Sequence, residues 1–174
     1  MSGPTTKGRH DADMSTVVMT SPGLRSEVED HYVSYALTMD DKRPNEWVDL
    51  FLGTGLYAVG SHNNVSTTGM WWYTDRGLGA LKERAAYMNG YLRHNPTRTL
   101  HTVTNVRAAE TDDGRIKAGA YMVLYVTDRT ELSRFHVCGR YDDILVRTDA
   151  GLRFVEHRVV IDAETLPANM GVLL

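Results

Sequence analysis

The sequence has little of what several common functional sites require. Its 174 residues include one cysteine, Cys138. That count excludes an internal disulfide, a four-cysteine iron–sulfur cluster and a cysteine-rich zinc site carried by this chain alone. No apolar run approaches the roughly 18 residues of a membrane-spanning helix, and the first residues lack the basic-then-apolar order of a secretory signal. We therefore expect a protein of the reducing cytoplasm.

Positive charge is not in excess either. Lys and Arg number 19 against 22 Asp and Glu, which leaves a formal net charge of −3 at pH 7. A chain with this balance has no basic field to attract nucleic acid or acidic lipid, so we expect neither nucleic acid nor a membrane as its partner. The length and the 42% content of hydrophobic residues suit one domain with one core.

The first half of the chain predicts a leading arm and three helices. Residues 1–20 mix Gly, Ser, Thr, Pro and charges and predict a flexible arm, followed by a single domain over 21–174. Ser21 and Pro22 are typical of a helix start. The three helices are predicted to run from Ser21 to Met39, from Asn45 to Leu52 with Gly53 and Gly55 ending it, and from an Asp75 cap to the stop at Asn95-Pro96.

The remaining pattern is that of strands. Residues 56–59 and 65–73 have the β-branched and aromatic content of two short strands. After residue 99 the apolar period changes to two, which predicts four more strands over 99–109, 115–127, 131–147 and 152–162. The order α-α-β-β-α-β-β-β-β predicts an α+β fold: a curved antiparallel or mixed sheet wrapped on three helices, forming a cone with a pocket at its mouth.

His101 is the histidine with the best case for chemistry. None of the seven histidines has a second one at the spacing of a zinc motif, so no metal site is predicted. His101, Val103 and Asn105 share one face of a predicted strand. If that face points into the cone, a neutral imidazole could act as a general base. The alternative is a buried hydrogen bond that ties strand to helix.

A stand-alone enzyme would need partners for this histidine. The candidates are His101, Tyr32, Tyr57 and Asp41, acting in a dehydratase, isomerase or cyclase. The inward positions of the first helix are predicted to be Tyr32, Tyr35, Ala36 and Met39, which leaves the histidine with tyrosines and no acid. Asp40 and Asp41 precede Lys42 and Arg43, so we expect a solvated, ion-paired turn.

Aromatic residues suggest a contact surface. Trp71, Trp72 and Tyr73 cannot all face the same way on a strand, so at least one ring is expected to point to an interface or a pocket. The paired glycines at 53 and 55 and at 77 and 79 lack the third glycine of a dinucleotide fingerprint. Ser66, Ser133 and Cys138 have no nucleophile motif, so no covalent mechanism is predicted.

Seven segments of the chain form an ordered set of motifs: LKER at 81–84, PTRTLHTVTNV at 96–106, ETDDG at 110–114, YMVLY at 121–125, CGRYDD at 138–143, FVEHRVVID at 154–162 and NMGVLL at 169–174. The second contains the pattern "His-x-Val-x-Asn", which begins at His101. In this order the motifs resemble the β subunits of aromatic-ring-hydroxylating dioxygenases over about residues 24–174. The family often has arginine before this histidine, where this chain has Leu100.

The resemblance implies a fold, a partner and a passive role for the chain. The fold is the cone of nuclear transport factor and scytalone dehydratase. A larger α subunit would hold a Rieske [2Fe-2S] cluster and a mononuclear Fe(II), receive electrons from NADH through a reductase and dihydroxylate an aromatic ring. The β chain would carry no cofactor or catalytic residue and would form a trimer within an α3β3 hexamer, supporting assembly and stability.

On this hypothesis certain residues contact neighbouring subunits. They are Arg98, Arg107 and Arg140, with Trp71, Trp72 and Tyr73 as aromatic candidates. Two alternatives stay open from the sequence: the stand-alone cone enzyme using His101, and a ligand-binding cone without turnover.

Overall fold

The computed structural model describes residues 21–94 and 97–165, without the side chains of Leu92 and Arg93. The predicted arm at 1–20 and the apolar tail lie outside the described residues. The elements are α1 (Pro22–Asp40), α2 (Pro44–Val48), β1 (Phe51–Ser61), α3 (His62–Thr68), β2 (Tyr73–Arg76), α4 (Gly77–His94), β3 (Arg98–Glu110), β4 (Ile116–Thr127), β5 (Arg134–Thr148) and β6 (Gly151–Ile161).

The strands form one open mixed sheet in the order β2-β1-β6-β5-β4-β3. Strands β1 and β6 run parallel, and the other neighbouring pairs are antiparallel. Helix α1 packs on β3 and β6, and α4 packs on β1 and β2. A single cluster of buried apolar residues lies between these helices and the sheet. The α+β class and the helix-covered curved sheet predicted from the sequence are confirmed.

Helix α1 begins where the sequence predicts and ends in a tight turn. The Ser21 hydroxyl accepts a hydrogen bond from the Leu24 N–H at 3.3 Å, and Pro22 occupies the first turn. At the other end Lys42 adopts a left-handed backbone with φ 58°, and the Arg43 N–H donates to the Thr38 carbonyl at 2.9 Å. These bonds satisfy carbonyls of the last turn and set the chain direction into α2.

The strand predicted over 65–73 is wrong. Residues 65–68 belong to helix α3, residues 69–72 lie in neither a helix nor a strand, and β2 starts only at Tyr73. The Ser61 hydroxyl caps the helix by accepting from the Asn64 N–H at 3.1 Å, while the Thr67 and Thr68 hydroxyls donate to carbonyls four residues earlier. Capping and these local bonds outweigh the strand preference of β-branched residues. The described chain therefore has four helices where the sequence predicts three.

Two helix boundaries also differ from the prediction. Helix α2 ends at Val48, and Gly53 and Gly55 lie within β1 instead of ending a helix. A Cβ on Gly55 would lie 2.9 Å from the Leu52 carbonyl oxygen, so this glycine serves close backbone packing. Asp75 belongs to β2 and accepts a hydrogen bond from Arg84 Nε at 2.7 Å, so it does not cap α4.

A bulge changes which residues of β3 point inward. The register with β4 shifts between Thr104 and Arg107, and Asn105 has a positive φ of 55°. Before the bulge His101 is buried and its neighbours are not, and after it Val106 and Ala108 are buried. The bulge thus lets one long strand present His101 and the later apolar residues to the same core.

Candidate functional site

His101 is paired with a carboxylate that the sequence analysis did not assign to it. Asp40 Oδ1 lies 2.7 Å from His101 Nδ1, and Asp40 Oδ2 accepts the His101 backbone N–H at 2.9 Å. Because a carboxylate accepts hydrogen bonds, this places the ring proton on Nδ1. The expectation that His101 would have no acid partner is therefore wrong. The pairing joins the last residue of α1 to the start of β3.

The neighbouring carboxylate has a different role. Asp41 is exposed and pairs with Arg43 at 3.2 Å, and Arg43 also pairs with Glu46. The solvated, ion-paired turn expected of Asp40 and Asp41 is therefore present at Asp41 and absent at Asp40. Asp41 was the acid named for the stand-alone enzyme, and the structure gives its place beside His101 to Asp40.

A cleft of about 610 Å³ opens next to this pair. It lies where the end of α1, the start of β3 and the turn between β4 and β5 meet. Its lining is polar and rich in cations: Asp40, Asp41, Lys42, Arg98, Thr99 and Arg129. The His101 side chain is fully shielded from solvent, while that of Asp40 is 15% exposed. A molecule in the cleft therefore meets Asp40 and the cations and does not meet the imidazole.

A second histidine–carboxylate pair lies in the core, and sequence reasoning missed it. Asp143 accepts hydrogen bonds from Tyr32 Oη at 2.7 Å, from His157 Nδ1 at 2.9 Å and from the Arg158 N–H at 3.0 Å. Asp143 and His157 are fully buried. Because Asp143 and His157 are direct cross-strand partners, they share the inner face of the sheet. A signal was available: Asp143 falls on the inward alternation of β5 together with Tyr141.

Aromatic rings enclose this buried group. The His157 ring lies 4.6 Å from Tyr35, 4.7 Å from Tyr141 and 4.5 Å from Phe154, measured between centroids. Tyr57 is stacked on the same ring at 5.8 Å with an interplanar angle of 20°. Tyr57, a candidate from the sequence, thus belongs with Tyr32 to the packed interior, away from the exposed carboxylate of Asp41.

Burial suppresses ionisation of the tyrosines in this interior. Desolvation raises the pKa of Tyr32, and the Asp143 charge and the hydrogen bond to it act in the same direction. Desolvation likewise raises the pKa of Tyr141. Both phenols are therefore held neutral. The Tyr32 hydroxyl donates its hydrogen bond to Asp143. This bond joins helix α1 to the sheet.

The pKa of His31 is shifted in the opposite direction, downward. Burial, reinforced by the charges of His157 and Arg153, lowers its pKa to about 4. Its ring packs on Phe154 with 4.5 Å between centroids. A second acid near the core, Asp142, has its pKa raised by burial and by the Asp143 charge. These shifts follow from exclusion of water and from like charges.

The interface candidates lie in several places. Arg98 and Arg107 are exposed on β3, and Arg140 on β5 pairs with Asp162 at 3.1 Å. Trp71, Trp72 and Tyr73 are each half-buried. Trp72 and Tyr73 pack against the core, and the Arg84 guanidinium lies over the Tyr73 ring at 4.3 Å. Arg98 is the one of these residues that lines the cleft beside Asp40.

The described residues contain neither a cluster suited to a metal ion nor a membrane-spanning helix. Among residues 21–94 and 97–165 no group of three or more His, Cys, Asp or Glu side chains could hold a metal ion. No helix in the described part of the chain is long and apolar enough to cross a membrane.

Two curated proteins are similar over most of the chain. Biphenyl 2,3-dioxygenase subunit beta from Rhodococcus jostii (strain RHA1) is 29% identical over 166 residues, covering 85% of this chain and 87% of that protein. Chlorobenzene dioxygenase subunit beta from Cupriavidus sp. (strain PS12) is 27% identical over 176 residues, covering 92% and 94%.

Solved structures show the same fold. A protein from Novosphingobium aromaticivorans, assigned as the beta subunit of an aromatic-ring-hydroxylating dioxygenase, superposes with a TM-score of 0.74 at 22% identity, covering 86% of this chain and 95% of that one. A chain of naphthalene 1,2-dioxygenase with indole bound superposes at 0.71 and 17% identity, covering 88% and 87%. The sequence model of the SnoaL-like domain matches residues 23–158, well over half of the chain. The chain therefore belongs to the family of SnoaL-like domains.

Proposed function

We propose that this chain is the small β subunit of a multicomponent aromatic-ring-hydroxylating dioxygenase, and that it is not itself catalytic. The observation that carries the proposal is the similarity to two named dioxygenase β subunits, each covering more than four-fifths of both chains. A likeness that runs over nearly the whole length covers the surface as well as the core. It therefore supports a shared role in assembly as well as a shared fold.

The interior supports a structural role. Asp143 uses its oxygens on Tyr32, His157 and the Arg158 N–H, and the surrounding rings shield these groups from solvent. A general acid or base must reach its substrate directly or through one water. Asp143, Tyr32 and His157 instead meet one another, which favours stabilisation of the fold over turnover.

The partner in this proposal is a larger α subunit. It would hold the Rieske [2Fe-2S] cluster and the mononuclear Fe(II), with electrons drawn from NADH through a reductase. A Rieske centre takes two cysteines and two histidines, and this chain has one cysteine. The β chains would form a trimer within an α3β3 hexamer, so that loss of this chain would cost the complex its assembly and its aromatic-ring hydroxylation.

An affinity purification tests the proposal. The tagged chain is purified from its native cell, and the copurifying protein is analysed for mass, iron and visible absorbance. We expect a larger protein with the absorbance of an iron–sulfur cluster in equal molar amount. A colourless assembly that contains this chain alone would overturn the proposal.

One observation favours a second candidate, an acid–base enzyme of the cone type. Asp40 and His101 form a carboxylate–imidazole pair at 2.7 Å beside a cleft large enough for a small molecule. In this role Asp40, which reaches the cleft, would contact the substrate, and His101 would position it. His101→Gln would then abolish turnover of a cleft ligand, whereas a β subunit with this substitution would still support hydroxylation by its complex.

A further inference from the structure

The outer face of the sheet carries a compact patch beside the cleft. We define the Arg98 patch as Arg98, Leu100, Tyr125, Arg129 and Phe135. Leu100 pairs with Tyr125 across β3 and β4, and Tyr125 pairs with Phe135 across β4 and β5. Direct cross-strand partners share a face, so these three side chains form one row. Their exposed fractions are 59%, 39% and 58%, so the row is open to solvent.

Two arginines flank this row. Arg98 precedes Leu100 by two residues and is therefore on the same face of β3, and Arg129 lies in the turn that joins β4 to β5. Both line the cleft. The patch thus has an aromatic and aliphatic centre with guanidinium groups at its edge, which is the composition of a protein–protein contact.

The carboxylates near the patch in residues 21–94 and 97–165 have other partners than these two arginines. Asp40 is bound to His101, Asp41 pairs with Arg43, and Asp128 accepts from Thr97 Oγ1 at 2.6 Å and from Arg134 at 3.0 Å. Glu131, in the same turn as Arg129, lies 3.9 Å from Arg134, so each of these four carboxylates has another partner. Within residues 21–94 and 97–165 the structure shows no ion pair for Arg98 or Arg129. The two guanidiniums keep their full hydrogen-bonding capacity for another molecule.

The surroundings also hold the patch in place. Asp40 fixes the backbone of His101, next to Leu100, through its 2.9 Å hydrogen bond. Asp128 links the turn that carries Arg129 to Thr97, next to Arg98. Because the backbone on both sides is tethered, binding costs little ordering of the patch.

We propose that the Arg98 patch is the surface that binds the α subunit, through a segment with a large apolar side chain next to one or more carboxylates. The partner's charge follows from complementarity, since two guanidiniums that have no ion pair within residues 21–94 and 97–165 favour carboxylates. The apolar row supplies most of the affinity, and the arginines supply orientation. This inference rests on the proposed function, because it takes the α subunit as the partner.

Two variants of the Arg98 patch, compared with a matched control, test whether the patch binds the α subunit. Arg98→Ala with Arg129→Ala removes the charges, and Leu100→Ala with Phe135→Ala removes the apolar row. The control, Lys82→Ala with Tyr87→Ala, removes one cation and one ring from exposed positions on α4. Thermal unfolding by circular dichroism checks that each variant is folded. Binding to the purified α subunit is then measured at low and high salt.

Each patch variant is expected to bind the α subunit about tenfold more weakly or worse, with the control within about twofold of the wild type. Wild-type binding should weaken as salt rises, and the arginine variant should lose that dependence. Folded patch variants that bind the α subunit as tightly as the wild type would overturn the inference about the patch and leave the proposed function standing.

The other outcomes separate this inference from the proposed function. If the patch variants lose self-association but keep their binding to the α subunit, the patch binds a second copy of this chain and the inference fails. If the wild-type chain binds no iron–sulfur partner, the proposed function fails, and the inference fails with it.

Discussion

Asp40 binds His101 through both of its carboxylate oxygens, one on the ring Nδ1 at 2.7 Å and one on the backbone N–H at 2.9 Å. The two residues are 61 positions apart and join the end of α1 to β3, which lies at one end of the strand order. A strand at that position has paired partners on one side only. The carboxylate therefore anchors β3 to the helix that covers it.

Removal of this anchor is expected to destabilise the fold. Asp40→Ala removes the carboxylate that accepts hydrogen bonds from the His101 ring N–H and backbone N–H, so the free energy of unfolding should fall by about 2–4 kcal/mol. The matched control is Asp41→Ala, which removes an exposed ion pair with Arg43 and should cost less than about 1 kcal/mol. Urea unfolding at neutral pH measures both, and equal losses would contradict the assigned roles.

Replacement of the buried Asp143 is expected to destabilise the fold more than replacement of Asp40. Asp143→Ala leaves the Tyr32 hydroxyl, the His157 ring N–H and the Arg158 backbone N–H unsatisfied, so we expect a loss of about 3–5 kcal/mol or failure to fold. Tyr32→Phe removes a single donor and should cost about 1–2 kcal/mol.

The control for the tyrosine is Tyr87→Phe, because Tyr87 is 60% exposed. It should leave the unfolding midpoint unchanged. A Tyr32→Phe protein as stable as this control would show that the 2.7 Å hydrogen bond contributes nothing net.

Replacement by alanine is predicted to change the stability in opposite directions at two glycines. A Cβ on Gly139 would lie 2.4 Å from the Val160 carbonyl oxygen and 2.7 Å from Ile161 Cα, both backbone atoms of the neighbouring strand. Gly139→Ala must therefore push β5 and β6 apart, at a cost of about 3 kcal/mol or more. Gly90 lies inside α4 with open space around it, so Gly90→Ala should stabilise the protein by up to about 1 kcal/mol. Thermal unfolding of the two variants decides the signs.

Stability is expected to fall in mild acid because of His31. Its pKa is lowered from 6.5 to about 4, chiefly by burial. Between these two values the unfolded chain binds a proton that the folded chain does not, so the free energy of unfolding decreases as the pH falls through this window. Above pH 6.5 both states are neutral and the effect vanishes. At about pH 4.5 the loss is on the order of 2–3 kcal/mol.

The comparison that isolates this effect uses His31→Gln. Urea unfolding at about pH 7 and at about pH 4.5 should show a smaller loss for His31→Gln than for the wild type. The exposed His62 provides the control, since His62→Gln should leave the pH dependence of the wild type in place. A His31→Gln protein with an unchanged pH dependence would contradict the assignment.

Local patterns predicted much of the fold. The Ser21-Pro22 start of α1 and the four long strands after residue 98 are where the sequence indicates, because capping groups and a period of two act over a few residues. The prediction of a strand over 65–73 was wrong because it, too, rested on local patterns alone. The β-branched residues of this segment indicate a strand, but the Ser61 cap and the threonine hydroxyls stabilise a helix over residues 62–68.

The candidate site was only partly predictable. The sequence pointed to His101 and offered Asp41 as the candidate acid, but Asp40 and Asp41 differ little in sequence context. The direction in which α1 ends decides between them: Asp40 faces β3, and Asp41 faces solvent. Asp143 and His157 were missed because a polar residue on an inward alternation gains meaning only when its partner is known.

By itself the sequence determined the class of fold, the faces of the long strands and the exclusion of cysteine-based metal sites. These follow from hydrophobic periodicity and composition, which need no knowledge of distant contacts. Only the tertiary structure decided which carboxylate binds which histidine and which arginines have no ion pair among the described residues. Tyr32 and Asp143 are 111 residues apart, and hydrogen bonds of this kind depend on how the helix crosses the sheet. Burial in a medium of low dielectric strengthens these bonds, and that burial exists only once the chain has folded around them.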